Sequence, residues 1–186
     1  MLLSELKQAR VAVWGYGVEG KATSTYLNKR CPKLSFSVLC QANEVDDQPH
    51  HFITEPVTSA LLNQFDVVIK SPGISPYQEW LKEVSCQLTS ASALWFSNER
   101  QGQVIAITGT KGKSTSSAML AHVLESMGHK VVLAGNIGVP LIACLEDCDY
   151  VVLETSSYQA QDGAIQADLA VLLNVYSEHL DWHGNE

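Results

Sequence analysis

The stretch from Val104 to Met127 constrains this chain more than any other. Val104-Ile105-Ala106-Ile107-Thr108 is a short apolar run rich in β-branched residues, which predicts a buried strand. It runs directly into Gly109-Thr110-Lys111-Gly112-Lys113-Ser114-Thr115. Beyond that loop, Leu120, Val123, Leu124 and Met127 recur at i, i+3, i+4 and i+7, predicting a helix with an apolar face that Gly128 closes. Strand, glycine loop, Lys-Ser/Thr and helix make up the P-loop arrangement. Backbone N–H groups and the helix N-terminus hold phosphate oxygens, a lysine neutralises terminal phosphate charge, and a hydroxyl reaches Mg²⁺. Lys113 and Ser114 stand in the last two roles. The usual first glycine would fall at Ile107, so the loop is a shortened variant. A plain glycine turn with a surface lysine is the alternative, and the complete strand–loop–helix context weighs against it.

A second phosphate-type turn lies near the N-terminus. Val11-Ala12-Val13-Trp14 predicts a buried strand, and it leads into Gly15-Tyr16-Gly17-Val18-Glu19-Gly20 and a helical stretch from Lys21 to Lys29. G-x-G-x-x-G between a strand and a helix is the setting of a dinucleotide or diphosphate turn. The next strand, Leu34 to Leu39, ends in Cys40-Gln41, with Glu44 only further on. An NAD site would carry an acid at that strand end, so NAD is disfavoured. A third strand, Asp66 to Lys70, ends in Ser71-Pro72-Gly73-Ile74, either a ligand-binding turn at the carboxyl edge of a parallel sheet or an ordinary β-turn.

The polar break Ser97-Asn98-Glu99-Arg100-Gln101-Gly102 marks the expected domain boundary, giving residues 1–97 and 98–186. The fold class is therefore α/β: a Rossmann-like parallel-sheet domain followed by a P-loop α/β domain. In the second domain the expected strands are Val131 to Ala134, Tyr150 to Leu153 and Leu169 to Leu173, with a helix-like stretch at Leu141 to Leu145. Glu154, at the tip of a core strand beside the P-loop strand, is a candidate Mg²⁺ ligand. His179 and His183 are four residues apart, but Glu178 precedes the first histidine where a zincin has Glu after it, so magnesium suits the site better than zinc.

With 46% hydrophobic and 17% charged residues, the composition supports a packed core. A net charge of −8 argues against a general nucleic-acid or membrane-surface binder. No apolar run approaches the roughly 20 residues of a membrane span, and Met1 to Lys7 is too short and polar for a signal peptide. The five cysteines, Cys31, Cys40, Cys86, Cys144 and Cys148, lack paired spacing and are expected to be free thiols of a cytoplasmic protein. Cys144 and Cys148 could face one another on a helix; buried thiols are the favoured reading.

Taken in order, Gly109 to Thr115, Gly135-Asn136-Ile137-Gly138, Glu154-Thr155-Ser156-Ser157-Tyr158-Gln159 and Asn174-Val175-Tyr176-Ser177-Glu178-His179-Leu180-Asp181 resemble the Mur ligases of bacterial peptidoglycan synthesis. The Ser-Ser-aromatic-Gln motif, the N-terminal glycine turn and Ser-Pro-Gly-Ile look most like the MurD branch. The resemblance implies an ATP-dependent, Mg²⁺-assisted amide ligase that joins glutamate to UDP-N-acetylmuramoyl-L-alanine through an acyl phosphate, serving cell wall biogenesis, cell shape and cell division. It implies that Gly109, Thr110, Lys111, Gly112, Lys113, Ser114 and Thr115 bind ATP. Lys113, Asn136 and His179 carry over as catalytic positions, and Ser114, Glu154 and His179 as metal positions. Gly15, Gly17, Val18, Glu19, Gly20, Ser71, Pro72 and Gly73 match the UDP end of the substrate site. Asn136, Ser156, Gln159 and His179 match its muramoyl-alanine end.

The chain departs from the family pattern in places. Cys40-Gln41 stands where an Asp-Thr pair would meet uracil, and Glu19 places an anion in the diphosphate turn. The family's carbamylated lysine and its C-terminal glutamate-binding domain would lie beyond Glu186, so a truncated, ligation-inactive piece of a longer protein, prone to self-association, is expected. Sibling ligases such as the folate polyglutamate and muramoyl tripeptide enzymes are the nearest alternatives; the folate enzymes lack the N-terminal UDP-binding domain. A stand-alone nucleotide-sugar binding module, or an NAD-binding domain fused to a P-loop ATPase, remains from outside the ligase class. Oligomeric state and glutamate stereochemistry stay open at this stage.

Overall fold

Runs of consecutive apolar residues lie at the centre of both sheets. In the computed structural model, which describes residues 1–162 and 165–183, β1 (Val11–Trp14) and β4 (Val67–Lys70) are buried along their whole length. That is the signature of central strands covered on both faces. The chain divides into two compact units, Met1–Leu94 and Trp95–Glu186, the division falling within helix Ala91–Asn98.

The first unit holds, in chain order, α1 (Leu3–Leu6), β1, α2 (Val18–Arg30), β2 (Phe36–Leu39), β3 (His51–Ile53), α3 (Ser59–Leu62), β4 and β5 (Gln87–Thr89), with the helix at Ala91–Asn98 numbered α4. All strand pairings are parallel, in the order β3-β2-β1-β4-β5. The order reverses between β1 and β4, and ligands of such sheets bind at that reversal, outside the carboxyl ends of the strands. The glycine turn follows β1 and the Ser-Pro-Gly turn follows β4, so the topology puts both turns there.

The second unit holds β6 (Gln103–Thr108), α5 (Lys113–Ser126), β7 (Val131–Gly135), β8 (Tyr150–Glu154), α6 (Ser157–Gln161), β9 (Leu169–Leu172) and α7 (Leu180–His183). Its sheet is parallel in the order β7-β8-β6-β9. The P-loop, Glu154 and the segment after β9 therefore leave from one carboxyl edge. Register pairs Glu154 with Ile107 on one side and Gly135 on the other.

Several expectations need correction. β3 and β5 were not anticipated; each has three residues, with His51 and Gln87 in them, too short and polar for a periodic signal. α2 begins at Val18, not Lys21, because Gly17 is its N-cap and Gly20 lies inside its first turn. Leu141 to Leu145 is not a helix but a 3-10 turn, Leu141–Ala143, after Pro140. Cys144 and Cys148 consequently do not share a helix; all five cysteines are free, and Cys31, Cys144 and Cys148 are buried.

The apolar face expected for α5 is only half used. Ser117 and Ala121 are the buried residues and Leu120 and Leu124 are half-buried, whereas Val123 is 50% and Met127 67% exposed. Small residues let the helix approach Ile107 and Val152 closely, so the P-loop's exit direction selects the buried face. Gly128 does close the helix, with φ +90°; its N–H bonds the Glu125 carbonyl and His129 N–H bonds that of Leu124, a Schellman motif. No helix among the described residues is long and apolar enough to cross a membrane. Gly184 and Glu186 lie outside the described residues.

Candidate functional site

In the first unit, each glycine of the N-terminal turn has its own reason. Gly15 has φ +92°, and a Cβ on it would lie 2.8 Å from Ser71 Oγ. On Gly20 a Cβ would lie 1.9 Å from the Gly15 carbonyl oxygen, so only glycine lets α2 approach the turn. Among the described residues nothing lies within 4 Å of where a Cβ on Gly17 would sit, room for a phosphate to come against the backbone. Val18 is 78% exposed and Glu19 half-buried at the same helix start. The structure brings this turn against the second: Ser71 Oγ donates to the Gly15 carbonyl at 3.2 Å, and Ser71 N–H donates to that of Trp14 at 2.9 Å. Pro72 is half-buried and Gly73 exposed beside them.

The end of β2 offers no acid for a ribose. Glu44 turns back on its own 3-10 turn, its Oε2 accepting from Gln41 N–H at 2.8 Å. Burial pushes the Cys40 thiol above its ordinary range, with Glu44 and Asp46 adding to the effect. A cluster that sequence reasoning missed covers this corner. Buried Tyr16 donates from its hydroxyl to Asp46 Oδ1 at 3.3 Å, Lys21 Nζ meets Asp46 Oδ2 at 3.1 Å, and the same ammonium sits 5.1 Å from the Tyr16 ring centre. Desolvation, reinforced by Asp46, pushes the Tyr16 phenol up to about 12.

In the second unit, Gly109 and Gly112 hold φ +142° and +85°, which permits the loop to curl before α5. Lys113 Nζ donates to the carbonyls of Gly109 at 2.6 Å and Thr110 at 3.1 Å, so its ammonium lies over the loop. Ser114 and Thr115 are exposed in the first turn of α5. Asn174, which follows β9, clamps the loop. Its Oδ1 accepts from Lys111 N–H at 2.8 Å, its Nδ2 donates to the Lys111 carbonyl at 2.9 Å, and its own carbonyl accepts from Thr110 N–H at 3.1 Å. Tyr176 N–H donates to Thr110 Oγ1 at 2.9 Å, and Lys111 pairs with Glu178. That Lys111 contact holds the Glu178 carboxyl below its usual range.

Glu154 is the polar centre of this unit. Its side chain is fully buried; Oε1 accepts from Asn136 Nδ2 at 2.9 Å, while Oε2 has no hydrogen-bond partner among the described residues. Gly135 and Gly138 have positive φ and bend the backbone around it, and Asn136 N–H also donates to the Glu154 carbonyl at 3.0 Å. Ser156 and Gln159 are brought together as the N-terminal capping box of α6: Gln159 N–H donates to Ser156 Oγ at 3.2 Å and Ser156 N–H to Gln159 Oε1 at 3.0 Å. His179 takes φ +58°, with its ring 5.1 Å from that of Tyr158 and its Nε2 4.0 Å from Glu178. His183 lies against Ser157 Oγ at 3.1 Å. Among the described residues, no group of three or more His, Cys, Asp or Glu side chains could hold a metal by itself.

Residues 107–186 match the Mur ligase middle domain. Along its whole length the chain is 40% identical over 205 residues to a UDP-N-acetylmuramoyl-L-alanine–L-glutamate ligase of Xanthomonas euvesicatoria pv. vesicatoria. It is 42% identical over 209 residues to the like-named protein of Xylella fastidiosa. Each alignment takes in 100% of this chain and 44% of the relative, so the chain spans less than half the length of these curated relatives. Among solved structures, the UDP-N-acetylmuramate:L-alanyl-gamma-D-glutamyl-meso-diaminopimelate ligase of Neisseria meningitides is similar in fold. It matches with a TM-score of 0.56 and 17% identity, over 94% of this chain and 63% of that one. The solved structure shares the fold, and the residue-level likeness along the whole chain, with the matched middle domain, shows the family: the chain belongs to the Mur ligase family, in its MurD branch.

Proposed function

We propose that the chain is the part of a cytoplasmic, ATP-dependent amide ligase that holds UDP-N-acetylmuramoyl-L-alanine and ATP while glutamate is added in peptidoglycan precursor synthesis. The relatives are named for L-glutamate, and that isomer is taken as the amine substrate. Residues 1–97 hold the UDP end, at Gly15 to Gly20 and Ser71 to Gly73. Residues 98–186 hold ATP on the P-loop. The observation that carries the reading is Glu154: a fully buried carboxylate with one oxygen unpartnered among the described residues, on the strand beside the P-loop strand.

That oxygen is a hard donor of the kind a magnesium ion takes, and Ser114 and His179 are proposed to complete the protein's share. Bound there, Mg²⁺ would supply neutralisation of phosphate charge. Lys113 exchanges the Gly109 and Thr110 carbonyls for γ-phosphate oxygens. Asn136, Ser156, Gln159 and His179 orient the terminal carboxylate of the muramoyl-alanine. A carboxylate oxygen then attacks the γ-phosphorus, the bond to the bridging oxygen breaks, and ADP leaves. The glutamate nitrogen attacks the acyl carbon, gives up a proton and expels phosphate. Phosphoryl transfer needs placement and charge stabilisation more than covalent help, which a P-loop and fixed dipoles provide.

The test is an equilibrium titration of this chain with UDP-N-acetylmuramoyl-L-alanine, NADH and Mg-ATP, each separately. Saturable binding of the first and third, without NADH, is expected. NADH binding alone would break the reading at the glycine turn, and undiminished ATP binding by Lys113→Ala would break it at the P-loop.

A further inference from the structure

Lys70 ends β4 at the switch point of the first sheet, and it is only 5% exposed. Lysine is rarely buried to that degree without a specific reason. Its Nζ donates to the carbonyl of Ile74 at 2.9 Å and to that of Ser71 at 3.3 Å, the two ends of the Ser-Pro-Gly-Ile turn. Ile74 N–H closes the same turn on the Ser71 carbonyl at 3.1 Å. The turn in turn rests on the glycine loop through Ser71 Oγ and the Gly15 carbonyl. One buried ammonium therefore fixes the conformation of the second of the two loops that line the crevice.

The direction of those carbonyls matters chemically. A peptide oxygen turned outward would set partial negative charge against an incoming diphosphate. Bonded to a buried ammonium, the Ser71 and Ile74 oxygens are turned inward, and Pro72 allows the turn little other freedom. Resting on the reading that this crevice takes a uridine diphosphate ligand, we propose that Lys70 is a positioning residue for the diphosphate. It keeps carbonyl lone pairs off the ligand and so sets selectivity for diphosphate-bearing over phosphate-free uridine compounds.

The experiment titrates the chain and its Lys70→Met and Lys70→Arg variants with UDP and with uridine, following thermal unfolding alongside. For Lys70→Met, UDP affinity is expected to fall by about tenfold, the lower end for losing a charge-assisted hydrogen bond, while uridine affinity holds. Lys70→Arg, which keeps charged donors, is expected to preserve the ratio of UDP to uridine affinity. A folded methionine variant that binds UDP as the parent does, or that loses UDP and uridine alike, overturns the proposal. If the methionine variant unfolds, the ratio in Lys70→Arg decides, and its collapse overturns the proposal. Failure of the unaltered chain to bind UDP is a different result, which removes the reading of the crevice itself.

Discussion

At Glu154 the balance of forces is local and severe. Burying a carboxylate is costly unless its lone pairs are met, and among the described residues Asn136 meets one oxygen and none meets the other. Asn136→Ala should therefore destabilise the second unit by roughly 1–3 kcal/mol, the cost of leaving a buried polar group without its partner. Urea unfolding measures it, and Mg-ATP affinity should fall in parallel. A loss of ATP affinity with unchanged stability would separate the two roles. Gly20 is equally sharp. With a Cβ placed 1.9 Å from a backbone oxygen, Gly20→Ala must push α2 away from the glycine turn. The expected destabilisation is roughly 1–3 kcal/mol, as for overpacking elsewhere, with loss of UDP binding. Gly17→Ala meets no atom of the described residues within 4 Å and should leave the unliganded fold intact.

Between elements, the same clamp recurs at the amino edges of both sheets. Asp66, Asp149 and Asp168 stand immediately before β4, β8 and β9. Their carboxylates accept the backbone N–H of Arg10, Lys130 and Val104 at 2.7, 2.8 and 2.7 Å respectively. Each aspartate N–H returns a bond to the same residue's carbonyl, so each clamp pins the register of a parallel pair. Asp66 is also gripped by the Arg10 guanidinium at 2.7 and 3.2 Å. Side-chain and then backbone hydrogen bonds from Arg10 hold its carboxyl down from 3.8 to about 2. A carboxyl lowered in the folded state stabilises above its unfolded value and loses that contribution as protons bind. The melting temperature should therefore decline from about pH 4 to pH 2 more steeply in the unaltered chain than in Asp66→Asn. Both side chains are largely exposed, so salt should weaken the difference. Equal slopes for the two proteins would remove Asp66 from the account.

For the molecule as a whole, the proposed placing of UDP on one compact unit and ATP on the other implies separate responses. Hydrogen exchange should show UDP protecting peptides that contain Gly15 to Gly20 and Ser71 to Ile74, and Mg-ATP protecting those that contain Gly109 to Thr115. At a hundredfold excess over the dissociation constant, linkage stabilises the liganded unit by about 2.7 kcal/mol. Protection of both units by either ligand would show that they unfold together. The edge strand β9 and the segment after it expose Leu169, Leu172, Val175 and Tyr176. Concentration-dependent association in sedimentation is expected, because an apolar strand edge is a template for pairing. Leu172→Lys should reduce it.

What the sequence determined by itself was whatever is written in contiguous residues. The two glycine turns, the Lys113-Ser114 pair and the strands β1, β4, β6 and β8 are legible because local sterics and buried apolar runs require particular residues in unbroken order. β3 and β5 were not, since three-residue edge strands owe their existence to pairing with β2 and β4. Nor was the buried face of α5, which the direction of the P-loop chooses over hydrophobic periodicity. The remaining decisions joined residues far apart in the chain. Asn174 on the P-loop, Lys70 beneath the Ser71–Ile74 turn and Asp46 on Tyr16 depend on where the folded sheet brings side chains within hydrogen-bond reach. No local pattern carries that distance; only the closure of the parallel sheets does.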